Sequence, residues 1–141
     1  MRMIPPDCSV RMSAALEVVG PGGLIVCAAE CRDGFPDHGS YQEVLSSADS
    51  PEALLAEING RPRTVPDQWQ VQVQAEIQSQ ARVVVHSDHL SADQPAAAHL
   101  GHTTDIAATL REALVPGARV CVLPEGPQTV PYVTDHRFVA T

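Results

Sequence analysis

The sequence predicts an α/β domain, a three-layer sandwich around a central, mostly parallel sheet. Three short runs are nearly continuous in apolar residues: Leu24–Ala29, Arg82–His86 and Arg119–Leu123. Runs that do not alternate with polar residues are typical of strands covered on both faces, as in a parallel sheet. Helical patterns separate the runs, which is the arrangement of βαβ units. We therefore expect all three runs to be strands of one sheet.

Three helix patterns lie in the first half of the chain: one over about Ser9–Val19, one over Tyr41–Leu45, and one that starts at Ser50-Pro51-Glu52 and ends near Asn59-Gly60. The first should end at Gly20-Pro21-Gly22-Gly23, because glycine and proline interrupt a helix before the first strand. The third has Ser50 as its N-cap and Pro51 at its first helical position. Both residue types favour those places, so this helix start is well defined.

Residues 67–80 fit two different elements. Apolar residues alternate with polar ones as in a half-buried strand: Trp69, Val71, Val73, Ala75 and Ile77. Trp69, Val73 and Ile77 also recur at helical spacing, and Asp67 followed by Gln70 resembles a capping box. The glutamines, alanine and glutamate of this stretch favour a helix. We predict a helix over about Asp67–Gln78, with the Asp67 side chain accepting from a backbone N–H near Gln70, and keep a strand as the alternative.

A further helix is expected after Thr103-Thr104-Asp105, whose side chains can cap its N-terminus. Its apolar residues at helical spacing are Ile106, Leu110 and Leu114. Pro116-Gly117 should end the helix before the third apolar run. A last short strand is expected around Arg137–Ala140.

Length and charge limit the classes of protein that fit. We interpret residues 1–141 as a single α/β domain, with residues 1–10 as a lead-in and 132–141 as a tail. The hydrophobic share of 44% is enough for a core, and no apolar run approaches the ~20 residues that span a bilayer. The N-terminus lacks the apolar stretch of a signal peptide, so we expect a cytoplasmic protein. A net charge of −8 disfavours nucleic acid and anionic membranes as partners.

The basic residues and the cysteines limit which reactions and covalent links this chain can form. All nine basic residues are arginine, so this chain has no lysine to form a Schiff base, act as a general base or tether a cofactor. The four cysteines are Cys8, Cys27, Cys31 and Cys121. They are scattered, and two of them lie inside apolar runs, so we expect free, buried thiols instead of disulfides.

Two kinds of side chain could suggest a metal site. If Cys27 and Cys31 lay on one strand they would be roughly 13 Å apart, too far to share a zinc ion. The spaced histidines are His86 with His89 and His99 with His102. We interpret them as strand-end and loop residues. We therefore expect this chain alone to bind neither nickel nor zinc.

Polar loops follow each predicted strand, where ligands usually bind in a parallel sheet. These loops are Glu30–Gly34, Ser87–His89 and Pro124–Gly126. Trp69 is the only tryptophan and would lie in the first turn of a helix that follows a long loop. Its ring could cover a ligand at the strand ends, although a single tryptophan is more often a core residue.

Four segments in this order resemble the nickel-dependent lactate racemase family: Gly22–Cys31 with Asp33-Gly34; Asp67-Gln68-Trp69-Gln70; Ala81–Ser87; and Leu123-Pro124-Glu125-Gly126 with Thr129-Val130-Pro131. They are similar to the family's Gly-Gly, strand, Glu-Cys pattern, its tryptophan motif, the strand after it and its closing motif. The resemblance covers about Ser9–Pro131, and the order and spacing of the four segments are more specific than any one of them.

The resemblance implies the C-terminal domain of a two-domain enzyme. Members of the family racemise or epimerise 2-hydroxy acids with a nickel-pincer nucleotide, which accepts a hydride from the substrate's C2 carbon and returns it to either face. The acid and base histidines and the tethering lysine belong to the N-terminal domain. This chain would then form one wall of the active-site cleft and be inactive alone. The implied partners are an N-terminal catalytic domain, in cis or in trans, and a small 2-hydroxy acid.

Three residues are expected to face the cofactor or the substrate. Trp69 matches the family's tryptophan near the cofactor, and Gln68 stands beside it in the same motif. The family's Tyr-Gln-x-x-Lys motif is replaced here by Asp7-Cys8-Ser9-Val10-Arg11, so Arg11 could supply the charge of the lysine but not its compact ammonium geometry. The resemblance assigns no catalytic residue and no metal ligand to this chain.

Two other interpretations remain. The chain could be a stand-alone binding or interaction module that kept the fold and lost catalysis. It could also be a fragment of a methyltransferase-like fold, because Pro-Gly-Gly before an apolar strand occurs there too. The absence of a Gly-x-Gly loop after the first strand disfavours the fragment.

Overall fold

A computed structural model describes residues 12–32, 40–125 and 128–132. The helices are α1 (residues 12–16), α2 (Tyr41–Leu45), α3 (Pro51–Gly60), α4 (Gln68–Gln80), α5 (Asp93–Ala97) and α6 (Ile106–Ala113). The strands are β1 (Leu24–Ala28), β2 (Arg82–His86) and β3 (Gly101–His102). The predicted α/β class is confirmed. Of the helices in these ranges, none is both long and apolar enough to cross a membrane.

The three strands form one parallel sheet in the order β1-β2-β3. Leu24 pairs with Arg82 and Ala28 with His86, so β1 and β2 are in register over their whole length. The first two predicted strands are therefore confirmed, β1 ending one residue early. β3 is too short to leave a periodic pattern in the sequence, which is why it was not predicted.

The third predicted strand is wrong. Arg119–Leu123 has no regular structure, and the Val120 and Val122 residues are 54% and 75% exposed. An apolar run becomes a buried strand only where a sheet edge receives it, and Gly101–His102 takes the edge of β2 instead. Cys121, expected to be buried in that strand, is consequently exposed, whereas Cys27 and Cys31 are buried and form no disulfide, as the sequence predicts. Cys8 and the strand expected around Arg137–Ala140 lie outside the described residues.

The predicted helices are largely confirmed. α2 and α3 have the predicted bounds, and the Ser50 hydroxyl accepts from the Ala53 N–H at 3.2 Å. The Asp105 carboxylate accepts from the Ala108 N–H at 2.9 Å at the start of α6. The described part of α1 ends at residue 16, and turns at residues 17–19 lead to the glycines before β1. Side-chain capping therefore fixes the starts of α3 and α6, as the sequence indicated.

α4 settles the ambiguous stretch in favour of the helix. Val71, Gln74 and Ala75 are fully buried, which is helical spacing and not the spacing of alternate residues. The predicted capping bond from Asp67 is wrong, however. Asp67 has a left-handed backbone with φ of 63°, and its carboxylate accepts from the Ser40 N–H at 3.3 Å. An N-cap side chain reaches the first turn from an extended backbone, which Asp67 does not have.

The core lies between one face of the sheet and helices α2, α3 and α4. Its largest contributors are Ile25, Cys27, Val83 and Val85 from the strands, Tyr41, Val44 and Leu45 from α2, Leu54 and Ile58 from α3, and Val71, Ala75 and Ile77 from α4. Met12 of α1 joins the same cluster. The core therefore fixes α4 against β2 and sets where the first turn of α4 lies.

Gly101 lets β3 approach β2 closely, which gives a first prediction. A Cβ at this position would lie 2.9 Å from Val84 Cγ2 and 3.3 Å from the Val83 carbonyl oxygen. Gly101→Ala is expected to lower the free energy of unfolding by about 1–3 kcal/mol, because the buried Val84 has little room to move. Urea denaturation followed by circular dichroism measures the change. Gly60→Ala is the control: nothing lies within 4 Å of its added Cβ, so no loss is expected there. Equal stability of both variants would contradict the close approach.

Candidate functional site

The N-terminus of α4 lies toward the edge of the sheet where the strands end. α4 ends at Gln80 and β2 begins at Arg82, and the Gln80 carbonyl accepts from the Gly22 N–H just before β1. The C-terminus of α4 is therefore at the edge where the strands begin. A helix of 13 residues rises about 20 Å, so running back over the sheet brings its first turn to the opposite edge. Ligands of parallel sheets bind at that opposite edge.

An open cleft of about 450 Å³ lies at the first turn of α4. Its lining residues are Thr64, Val65, Pro66, Asp67, Gln68, Trp69 and Gln72. Trp69 is the second residue of α4, as predicted, and is 66% exposed, so its ring is available at the cleft and is not a core residue. Val65 is also partly exposed, at 38%. The cleft therefore offers an aromatic and apolar surface to a ligand.

Gln68 holds the loop that precedes α4 and lines the cleft. Its side chain is buried, and its Oε1 atom accepts from the Val65 N–H at 3.3 Å. The Gln68 N–H donates in turn to the Val65 carbonyl at 3.3 Å. Together with the bond from Ser40 to Asp67, these contacts hold the loop before α4 at two points. The structure thus places the Gln68 oxygen against the loop, and its expected role facing the cofactor stays a prediction.

Two glutamines, the buried Gln74 and the half-buried Gln78, fix α4 behind the cleft. The Tyr41 hydroxyl donates to Gln74 Oε1 at 2.5 Å, and Gln74 Nε2 donates to the Ala98 carbonyl at 3.0 Å. Gln78 Nε2 donates to the carbonyls of Ala98 and His99 at 3.0 and 2.8 Å. Sequence reasoning took these glutamines only as helix formers. Their spacing of four residues, on the face that also has Val71 and Ala75, was the signal that they face the core side of the helix.

The first two polar loops at the strand ends meet. Ser87 Oγ donates to the Glu30 carbonyl at 2.7 Å and accepts from the His89 N–H at 3.2 Å. His86 Nδ1 lies 2.9 Å from the Thr103 carbonyl oxygen, which joins the end of β2 to the segment after β3. The third predicted loop, Pro124–Gly126, was expected to follow a strand of this sheet. Because Arg119–Leu123 is not a strand, the sheet does not position that loop at this edge.

The remaining site predictions concern Arg11 and metals. Arg11 lies outside the described residues. Over the described ranges, no group of three or more histidine, cysteine or acidic side chains could hold a metal ion. His99 Nε2 instead lies 3.3 Å from the Leu45 carbonyl oxygen. His102 Nε2 is buried without a hydrogen-bond partner among the described residues, but it belongs to no such group of three or more ligating side chains.

Sequence comparison with known proteins matches most of this chain to lactate racemases. The profile of the lactate racemase C-terminal domain family matches residues 8–130. The lactate racemase of Lactiplantibacillus plantarum is 33% identical over 124 residues, which cover 82% of this chain and 28% of that protein. The lactate racemase of Thermoanaerobacterium thermosaccharolyticum is 30% identical over 120 residues, with the same two shares.

The fold agrees with these sequence matches. The structure of the lactate racemase apoprotein from Thermoanaerobacterium thermosaccharolyticum is similar with a TM-score of 0.67 and 25% identity. That match covers 74% of this chain and 25% of the solved one. The chain therefore spans less than a third of the length of the racemases that it matches.

Proposed function

The chain belongs to the lactate racemase C-terminal domain family, and from this premise we propose that it forms one wall of the active-site cleft of a racemase or epimerase acting on 2-hydroxy acids. The observation that supports this most is Trp69. It belongs to the motif that resembles the family's tryptophan motif, it is 66% exposed, and it lines a cleft at the first turn of α4. An exposed indole at a cleft offers a large apolar face on which a ligand or another domain can pack.

The cofactor would be held by another domain. The family's nickel-pincer nucleotide would supply the hydride acceptor when bound. The described residues fit such a group only through the aromatic surface of Trp69: the chain has no lysine, and its described part has no cluster of metal-ligating side chains. We therefore propose that an N-terminal domain, in cis or in trans, has the tether, the metal contacts, the acid and the base.

The residues of this chain would position the substrate and keep water out. The ring of Trp69 would cover the reacting region, while Gln68 and Asp67 hold the loop beneath it. Arg11 would contribute a positive charge for the substrate carboxylate. Positioning of this kind contributes to rate only when the reacting groups are supplied across the cleft, so the wall alone has no activity.

A second prediction tests whether catalysis needs an N-terminal domain in addition to this chain. The isolated chain is expected not to interconvert D- and L-lactate or any other 2-hydroxy acid. A chimera in which this chain replaces the C-terminal part of the Lactiplantibacillus plantarum lactate racemase, loaded with cofactor, is expected to do so. Chiral chromatography of the lactate pool measures both. Racemisation by the isolated chain would contradict the proposal, and a folded, cofactor-loaded but inactive chimera would favour a binding module that has lost catalysis.

A further inference from the structure

The turn before α4 has an aspartate where the backbone conformation favours glycine. The Gln68 N–H donates to the Val65 carbonyl at 3.3 Å and closes a four-residue turn. Asp67 is the third residue of that turn, with φ of 63° and ψ of −6°. These are close to the angles of the third residue in a type II turn, where glycine or asparagine is usual. Glycine would satisfy this backbone without strain, so the contacts of the carboxylate are what distinguishes aspartate here.

The carboxylate of Asp67 joins two elements that are distant in the sequence. Its Oδ2 atom accepts from the Ser40 N–H at 3.3 Å, across 27 residues. Ser40 is the N-cap of α2, and the N–H groups at the start of a helix have no acceptor within it. Both residues are half-buried, so the bond is partly shielded from water. The Asp67 backbone carbonyl also accepts from the Gln70 N–H at 3.1 Å. Asp67 therefore ties the first turn of α4 to the start of α2.

The position of Trp69 depends on this turn, because the core does not hold its ring. The indole is 66% exposed and belongs to the second residue of α4, two positions after Asp67. Farther along the helix, Val71 and Gln74 are fully buried, so the core fixes that part of α4. The end of a helix has fewer hydrogen bonds than its interior and opens more easily. The contacts of the turn therefore determine how the indole is presented to the cleft.

We propose that Asp67 is a positioning residue for the racemase reaction: its carboxylate holds the turn to α2 and thereby sets the indole of Trp69 at the cleft. This inference rests on the proposed function of the cleft. Asp67 acts through Trp69 and does not touch the substrate. The position needs an acceptor oxygen for the Ser40 N–H and tolerance of a positive φ. Asparagine has both properties, whereas glycine has only the second.

A third prediction compares substitutions of Asp67 in the cofactor-loaded chimera. Asp67→Gly is expected to lower kcat/KM about tenfold, mainly through kcat, because the turn still forms but is no longer held to α2. Asp67→Asn should stay within about twofold of the parent chimera, since its amide oxygen accepts from the same N–H. A purely structural turn would work at least as well with glycine. Ser50→Gly is the matched control: it removes a 3.2 Å side-chain bond at the start of α3, outside the cleft lining, and should leave both constants unchanged.

Hydrogen exchange in the 141-residue chain tests the turn independently of activity. In Asp67→Gly the amides of Ser40 and Gln70 should exchange about tenfold faster than in the wild type, and in Asp67→Asn they should keep their rates. Unchanged exchange in Asp67→Gly overturns the proposal. Equal activity of the Asp67→Gly and parent chimeras also overturns it, as does an Asp67→Asn chimera that is as slow as Asp67→Gly. An inactive parent chimera would instead reject the proposed function, and the role of Asp67 with it.

Discussion

Gln74→Ala is expected to lower the free energy of unfolding by about 3 kcal/mol. Gln74 is fully buried and bridges two elements, accepting from the Tyr41 hydroxyl of α2 and donating to the Ala98 carbonyl after α5. Alanine removes both hydrogen bonds, leaves these buried polar groups with one partner fewer, and opens a cavity between helices. Because a loss of 1.4 kcal/mol is about a tenfold change in the folding equilibrium, the loss amounts to roughly a hundredfold.

Gln72→Ala is the matched control on the same helix. Its side chain is partly exposed and bonds only Glu76, at 3.2 Å and four residues away. Such a pair stabilises a helix by about 0.2–0.5 kcal/mol, so the control should change stability by little more than that. Urea denaturation of both variants gives the two values. Similar losses for both would show that the buried network behind the cleft contributes no more than a surface pair.

Local signals in the sequence predicted much of this fold. β1 and β2 followed from apolar runs, and α3 and α6 from Ser50 and Asp105 as capping residues. These features depend on neighbours within a few positions, so a single sequence contains them. Trp69 could be placed at the first turn of α4 for the same reason.

Long-range features were not predictable in this way. The Asp67 carboxylate accepts from the Ser40 N–H, 27 residues away, and only the Asp67 backbone carbonyl accepts from the Gln70 N–H of its own helix. β3 depends on a glycine that fits against Val84, which has no periodic pattern. Arg119–Leu123 has the composition of a strand but no regular structure, because composition alone does not supply a sheet edge to pair with. The buried glutamines were missed because a helix-forming residue looks the same whether it is exposed or bonded across the core.

Trp69→Ala in the chimera with the Lactiplantibacillus plantarum racemase is expected to lower kcat/KM about tenfold to a hundredfold. The indole is the largest exposed apolar surface of the cleft, and removing it would let water and alternative substrate poses into the site. Trp69 is 66% exposed in this chain, so the variant should fold with nearly unchanged stability. A fall in rate would then report on the site and not on unfolding.

Two measurements separate positioning from a merely structural role. Trp69→Phe retains an aromatic face and should recover most of the rate, whereas Trp69→Leu should not. If the ring orients a bound substrate, kcat should fall more than KM rises, because misplacement affects the reacting geometry more than ground-state binding. Chiral chromatography over a range of lactate concentrations gives both constants, with thermal unfolding of each variant as the control. An unchanged rate in Trp69→Ala would remove the role given to the tryptophan and leave the assignment of the domain intact.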